Sequence, residues 1–221
     1  MSKMTASLGL AVVENPEKKN HTAPPDDVSP SFPSRFLFAG RPGSGKGVAC
    51  LNLLARGDFD TFTICHWDKK AEEWTSMLDD QEDFRMLGFK EDGLPTAETF
   101  DRDKRNALVL DELPFDLMSK QERAHLERIA NYFCSHLSIS LFILCQDAFS
   151  VPVSVRRAID YFSLWPSPIK MTEGLLSRML RIDLGDLFHR FCKKKHDFLT
   201  IDTTGQGPKV RLNFYSPIEN V

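Results

Sequence analysis

Gly40-Arg41-Pro42-Gly43-Ser44-Gly45-Lys46 stands between two apolar runs, Phe36-Leu37-Phe38-Ala39 before it and Val48-Ala49-Cys50-Leu51-Asn52-Leu53-Leu54 after it. In that order the pieces read as strand, glycine loop and helix. The spacing fits a phosphate-binding loop, in which glycines let backbone N–H groups curl around an anion and the lysine reaches the terminal phosphates. The first turn of the helix adds N–H groups without intrahelical partners and a partial positive charge. The cofactor-binding candidates are therefore Gly40, Arg41, Pro42, Gly43, Ser44, Gly45 and Lys46, with Gly47 and Val48 at the helix start. Gly47 stands where such loops carry a Ser or Thr whose hydroxyl holds magnesium. A magnesium ion here keeps an extra water, borrows an oxygen from elsewhere, or binds weakly.

Further along, Ala107-Leu108-Val109-Leu110-Asp111-Glu112 is an apolar strand ending in two acids. An unbroken apolar run, unlike an alternating one, predicts a strand covered on both faces, as in a parallel sheet. Ligands of such sheets bind outside the carboxyl ends of the strands, where these acids lie. Asp111 is the candidate for the metal shell, and Glu112 the candidate to orient or deprotonate an attacking water. The expectation is that this strand is the neighbour of the phosphate strand and brings both acids to the loop. Read more plainly, they are exposed acids at a strand end.

Ser138 to Cys145 is a second compact strand, and Gln146-Asp147 follows it. Gln146, at the carboxyl end of a strand expected beside the phosphate strand, either senses the terminal phosphate or positions water, or else caps the next turn. Val151 to Phe162 reads as a turn, a short helix bearing Arg156 and Arg157, and a further strand through Leu164. A guanidinium can neutralise charge on a phosphoryl group in transfer, often from a neighbouring subunit. The same two arginines also suit a solvated surface.

The rest of the chain supplies the frame. Residues 1–34 are polar, carry prolines and lack apolar periodicity, so a disordered or docking arm is expected, with order beginning near Arg35. Thr61-Phe62-Thr63-Ile64-Cys65 reads as a strand. Asp68 is placed to cap a helix whose apolar positions are Ala71, Trp74, Met77 and Leu78. The charged stretch from Asp79 to Asn106, interrupted by Gly88, Gly93 and Pro95, reads as a surface excursion. Ser119 and Glu122 form a capping box opening a helix to about Ser135, with Leu126, Ile129, Ala130 and Phe133 on one face. Leu175, Leu176, Met179, Leu180, Leu184, Leu187 and Phe188 predict one broken helix or two short ones. Phe198 to Asp202 and Val210 to Phe214 predict a hairpin around Thr204-Gly205-Gln206-Gly207. Strands alternating with helices define an α/β three-layer fold with a largely parallel central sheet, spanning 35–221 as one domain.

Composition narrows the function classes. With 221 residues, 42% hydrophobic and 27% charged, the chain matches an ordinary globular protein. It has no apolar run near the ~18 residues of a membrane span and no secretory pattern at its start, so an intracellular protein is expected. Five widely spaced cysteines, mostly within apolar runs, predict buried reduced thiols. His189, Cys192 and His196 have a zinc-like spacing, but no second cysteine pair completes it. A net charge of -3 gives no overall basic character, so any DNA contact must use a local patch such as Arg156-Arg157 or Lys193-Lys194-Lys195, which equally suit solvated surface.

The order of motifs resembles the poxvirus-type genome-packaging ATPases of the FtsK/HerA branch of P-loop NTPases. The resemblance rests on Gly40 to Lys46 (the Walker A element), Leu108 to Glu112 (the Walker B element), and Ser138-Ile139-Ser140 leading through Leu144-Cys145-Gln146 to Pro152, Arg156 and Ile159-Asp160-Tyr161. It implies ATP and Mg2+ as cofactors, Lys46 on phosphate, Asp111 at metal, Glu112 at water, Gln146 sensing the γ-phosphate and Arg156 as an arginine finger. It also implies a homo-oligomeric ring threading double-stranded DNA into a capsid vertex, at sites of virion assembly in host nucleus or cytoplasm, or associated with the virion. The chain departs from the family pattern at Gly47 and at Ala158, where Asn is common. A second resemblance, of Arg41 to Gly47, is to the loop of adenylate kinases, whose glycine also follows the lysine. There Thr comes next, whereas this chain has Val48, and Asp111-Glu112-Leu113-Pro114 lacks the Gly and Arg of the kinases' segment. A third reading is a degenerate domain that binds nucleotide only to stabilise assembly.

Overall fold

The computed structural model describes residues 30–78, 83–167 and 169–218, apart from the side chains of Glu73, Met77 and Leu78. Most of the expected arm thus lies outside the described residues, as do the apolar contacts expected of Met77 and Leu78. Packing begins slightly before Arg35, since Phe32 and Ser34 are already buried.

The strands are β1 (Arg35–Ala39), β2 (Thr61–His66), β3 (Phe84–Gly88), β4 (Asn106–Asp111), β5 (Ile139–Cys145), β6 (Tyr161–Leu164), β7 (Leu199–Asp202), β8 (Lys209–Leu212) and β9 (Ser216–Ile218). They form one nine-stranded sheet in the order β3-β2-β4-β5-β1-β6-β7-β8-β9. From β3 to β6 all neighbours are parallel, and β7, β8 and β9 continue antiparallel. The expected hairpin is β7–β8, and β9 adds a strand that no alternation in Ser216-Pro217-Ile218 announces.

Helices cover both faces. They are α1 (Lys46–Arg56), α2 (Glu72–Leu78), α3 (Phe89–Asp92), α4 (Lys120–Arg128), a π turn at Ile129–Phe133 running into α5 (Cys134–His136), α6 (Val153–Arg157), α7 (Lys170–Leu180) and α8 (Leu184–Phe191). Side chains alternate across each strand, so Leu37 and Ala39 of β1 enter one core with Leu126, Phe133, Leu176 and Leu187. Phe36 and Phe38 enter the other with Cys50, Leu54 and Trp74. Two covered faces explain why β1, β4 and β5 read as unbroken apolar runs.

Three expectations need correction. The acidic strand β4 is not beside β1, because β5 lies between them. Asp68 does not cap α2; its Oδ1 accepts from the N–H of Lys70 and closes a local turn. The charged stretch after Asp79 is not only surface. It contains β3, which adds a parallel edge to β2, and Asn106, which is buried at the start of β4. That asparagine links three elements: Nδ2 lies 2.8 Å from the Asp101 carbonyl and 2.9 Å from the Leu137 carbonyl, and Oδ1 accepts from Thr61 Oγ1 at 2.8 Å. The capping box is present as read, with Ser119 Oγ accepting from the Glu122 N–H and Glu122 Oε2 accepting from the Ser119 N–H.

Candidate nucleotide site

β1 ends at Ala39, and the chain turns at once into the glycine loop. Gly43 and Gly45 have φ of 69° and 102°, backbone that L side chains rarely adopt. Gly40 is required for a different reason: a Cβ there would stand 2.8 Å from Ser44 Oγ and 2.9 Å from Trp165 Cβ. Gly45 is the N-cap of α1 and its carbonyl accepts from the Ala49 N–H. The first turn, Lys46 to Ala49, has no acid to offset its partial positive charge. Lys46 Nζ donates to the carbonyls of Gly40 (2.8 Å) and Arg41 (3.1 Å), which holds the ammonium over the loop.

The carboxyl ends of β4 and β5 bring further side chains to this loop. Asp111 pairs with Leu144 across β4 and β5, and Phe38 of β1 pairs with Leu144 on the other side. These residues share one level of the sheet. Asp111 and Glu112 line a cleft of about 260 Å³ together with Gly45, Lys46, Gly47 and Val48. Lys46 and Glu112 also line an adjoining cleft of about 320 Å³ with Gln146 and Asp147. Consecutive strand residues normally face opposite ways, but Glu112 has φ of 52°. That break in the pleat accounts for both acids reaching one cleft. Such a backbone costs roughly 1 kcal/mol or more and concentrates at functional sites.

Burial differs between the two acids. Asp111 is 5% exposed and its Oδ2 accepts from Trp74 Nε1 at 2.8 Å. Glu112 has a side chain 57% exposed, with Oε2 3.6 Å from His66 Nε2. Burial pushes the Cys145 thiol up to about 12, with Asp147 and Asp111 adding to the rise and Lys46 opposing it. Burial likewise raises Cys50 well above the usual thiol value, helped by Asp111. Asp111 and Lys46 therefore both make themselves felt in the layer beneath the loop.

The arginine segment has the expected short helix and following strand, but Arg156 does not lie on a solvated surface. Arg156 is 9% exposed and packs its guanidinium 4.4 Å from the Phe149 ring centroid. Its Nε and Nη1 are buried without a hydrogen-bond partner among the described residues, and burial lowers its pKa below the usual arginine value. Arg157 is exposed.

Three residues at the site were not legible in the sequence. Trp74 sits at a helical apolar spacing and reads as core. His66 ends β2 without a motif. His196 lies in the basic run, yet its Nδ1 is 3.1 Å from the Ser44 carbonyl, 152 positions earlier.

Magnesium fits this site in a limited way. Among the described residues no group of three His, Cys, Asp or Glu side chains is arranged to hold a metal. Magnesium is commonly bound through one or two carboxylates plus substrate phosphates, and Asp111 beside the phosphate loop suits that arrangement.

Neither a protein-family model nor a curated protein sequence matches the chain. Solved structures do match its fold. The genome packaging NTPase B204 of Sulfolobus turreted icosahedral virus 2, in complex with sulfate, superposes with a TM-score of 0.61 at 16% identity, covering 86% of this chain and 99% of that one. B204 has also been solved with AMPPCP, ATP-gammaS and AMP. The cytoplasmic domain of the type VII secretion ATPase EccC of Thermomonospora curvata gives 0.57 at 13% identity, over 85% of this chain and 26% of that one. The pCW3 conjugation coupling protein TcpA, with ATPgS, gives 0.52 at 16% identity, over 80% and 59%. The chain has the three-layer α/β fold of these proteins. Among the described residues no helix is long and apolar enough to cross a membrane.

Proposed function

We propose that the chain is an ATP-hydrolysing motor of the FtsK/HerA packaging type, translocating double-stranded DNA into a capsid as a homo-oligomeric ring. The observation that carries this reading is that Asp111 and Glu112 share a cleft with the glycine loop and Lys46, while Gln146 lines the cleft next to it. Backbone N–H groups of the loop and the Lys46 ammonium bind the phosphate chain. Asp111 would hold magnesium, which when bound neutralises phosphate charge. Glu112, the more exposed acid, accepts the proton of an attacking water, and Gln146 orients that water against the terminal phosphate. A guanidinium from α6 of a neighbouring copy completes the site, and the DNA backbone is gripped without base specificity.

Gly47 favours a second reading, a nucleotide-binding module that stabilises assembly without turnover. ATP hydrolysis by the purified chain, with and without long double-stranded DNA and alongside its mass in solution, separates the two. The motor reading expects turnover that rises with DNA in an assembled species. Assembly on nucleotide without turnover supports the module. Phosphate transfer to a nucleoside monophosphate, indifferent to DNA, would instead give an adenylate-kinase-like enzyme.

A further inference from the structure

A hydroxyl after the loop lysine can do two things: donate a hydrogen bond to a nearby carboxylate and lend an oxygen to a divalent cation. Gly47 does neither. On the wall of the same cleft, Trp74 Nε1 donates to Asp111 Oδ2 over 2.8 Å. Donor and acceptor belong to residues 1% and 5% exposed, so the bond is shielded from competing water. An indole N–H donates only. It can hold a carboxylate but cannot ligate a cation. Crowding does not exclude a side chain at position 47, because a Cβ there meets nothing within 4 Å.

We propose that Trp74 is the positioning residue for Asp111, supplying the hydrogen bond that a hydroxyl at position 47 would otherwise give, while that hydroxyl's role as cation ligand is left unfilled. The inference rests on the nucleotide-site reading above and deepens it. Donor and ligand, combined in one side chain in other loops, are divided here, and only the donor is kept. Asp111 then carries the protein's hold on a nucleotide-borne magnesium ion at this wall of the cleft, and Trp74 sets how well it does so. The native chain should bind ATP more tightly in magnesium than without it, through Asp111, and an added hydroxyl should increase that gain.

The test is a set of dissociation constants for a fluorescent ATP analogue, in Mg2+ and in EDTA. It uses the full chain, Trp74→Phe, Gly47→Thr and the double variant. Trp74→Phe is expected to weaken binding in Mg2+ by about tenfold, the scale of one charge-assisted hydrogen bond, with binding in EDTA unchanged. Gly47→Thr is expected to tighten binding in Mg2+ by about tenfold on the same scale, and to restore native affinity to the double variant. Unchanged affinity of Trp74→Phe in Mg2+ overturns the proposal. So does an equal loss in Mg2+ and EDTA, which would mark Trp74 as packing alone. Should Trp74→Phe not fold by circular dichroism, Gly47→Thr decides by itself, and an unaltered magnesium effect overturns the proposal. A native chain that binds the analogue in neither condition removes the nucleotide-site reading along with it.

Discussion

Glu112 and Arg156 show most directly how single residues depart from what their type predicts. Glu112 is exposed enough to meet solvent and turned by its backbone toward the phosphate loop. Glu112→Gln keeps shape and hydrogen bonding but removes the base, so turnover should fall by about 10²- to 10⁴-fold with nucleotide affinity retained. Steady-state rates beside equilibrium binding check this, and a loss of affinity with unchanged turnover would assign Glu112 to binding instead. Arg156→Ala in the assembled protein should reduce turnover roughly a thousandfold or more if it acts as a finger, and unchanged turnover removes it from the mechanism. For Arg156 to reach a neighbouring nucleotide it must leave Phe149, whereas Arg157 already faces outward. Arg157→Ala measured in parallel shows which guanidinium acts. Lys46 and Asp111 were legible because a loop motif and a strand end place them by spacing alone. The φ of Glu112 and the Trp74 indole bond were not, since one is a backbone choice and the other joins side chains 37 positions apart.

At the scale of elements, legibility followed local chemistry. The Ser119–Glu122 box and the apolar face of Leu126, Ile129, Ala130 and Phe133 are written within a few residues, and the structure has both, though the face runs from α4 into the π turn. β3 was missed because Phe84-Arg85-Met86-Leu87-Gly88 lies at the sheet edge, where partial exposure leaves no covered run to recognise. The pairing of β5 with β1 was expected, but the separation of β4 from β1 by β5 was missed because strand order is a tertiary choice. Asn106 helps secure that order by joining the entry of β4 to Thr61 of β2 and to the Leu137 carbonyl before β5. Asn106→Ala strands buried polar groups and should cost about 2–3 kcal/mol, on the scale of such losses. Urea unfolding measures it, and a cost near zero would mean that these carbonyls find other partners.

For the molecule as a whole, the buried thiols set an alkaline limit. Burial raises Cys65, Cys134 and Cys145 to about 12, and raises Cys50 well above its usual value. Unfolded thiols ionise near their ordinary value of about 8.5, while the folded ones keep their protons. Stability from these groups is therefore intact below that value and is lost as pH rises toward the folded values, by roughly 1 kcal/mol per thiol for each pH unit. Urea midpoints from about pH 8 to about pH 10.5 should fall steeply, and a flat profile would contradict the burial. The hydrogen bond between His196 and the Ser44 carbonyl has a further consequence. It fastens the anion cup to the exposed lysine segment Lys193-Lys194-Lys195, which leads into β7. Filling the cup should stiffen that segment, so trypsin should cut there more slowly in the presence of nucleotide, making a distant peptide bond a gauge of occupancy.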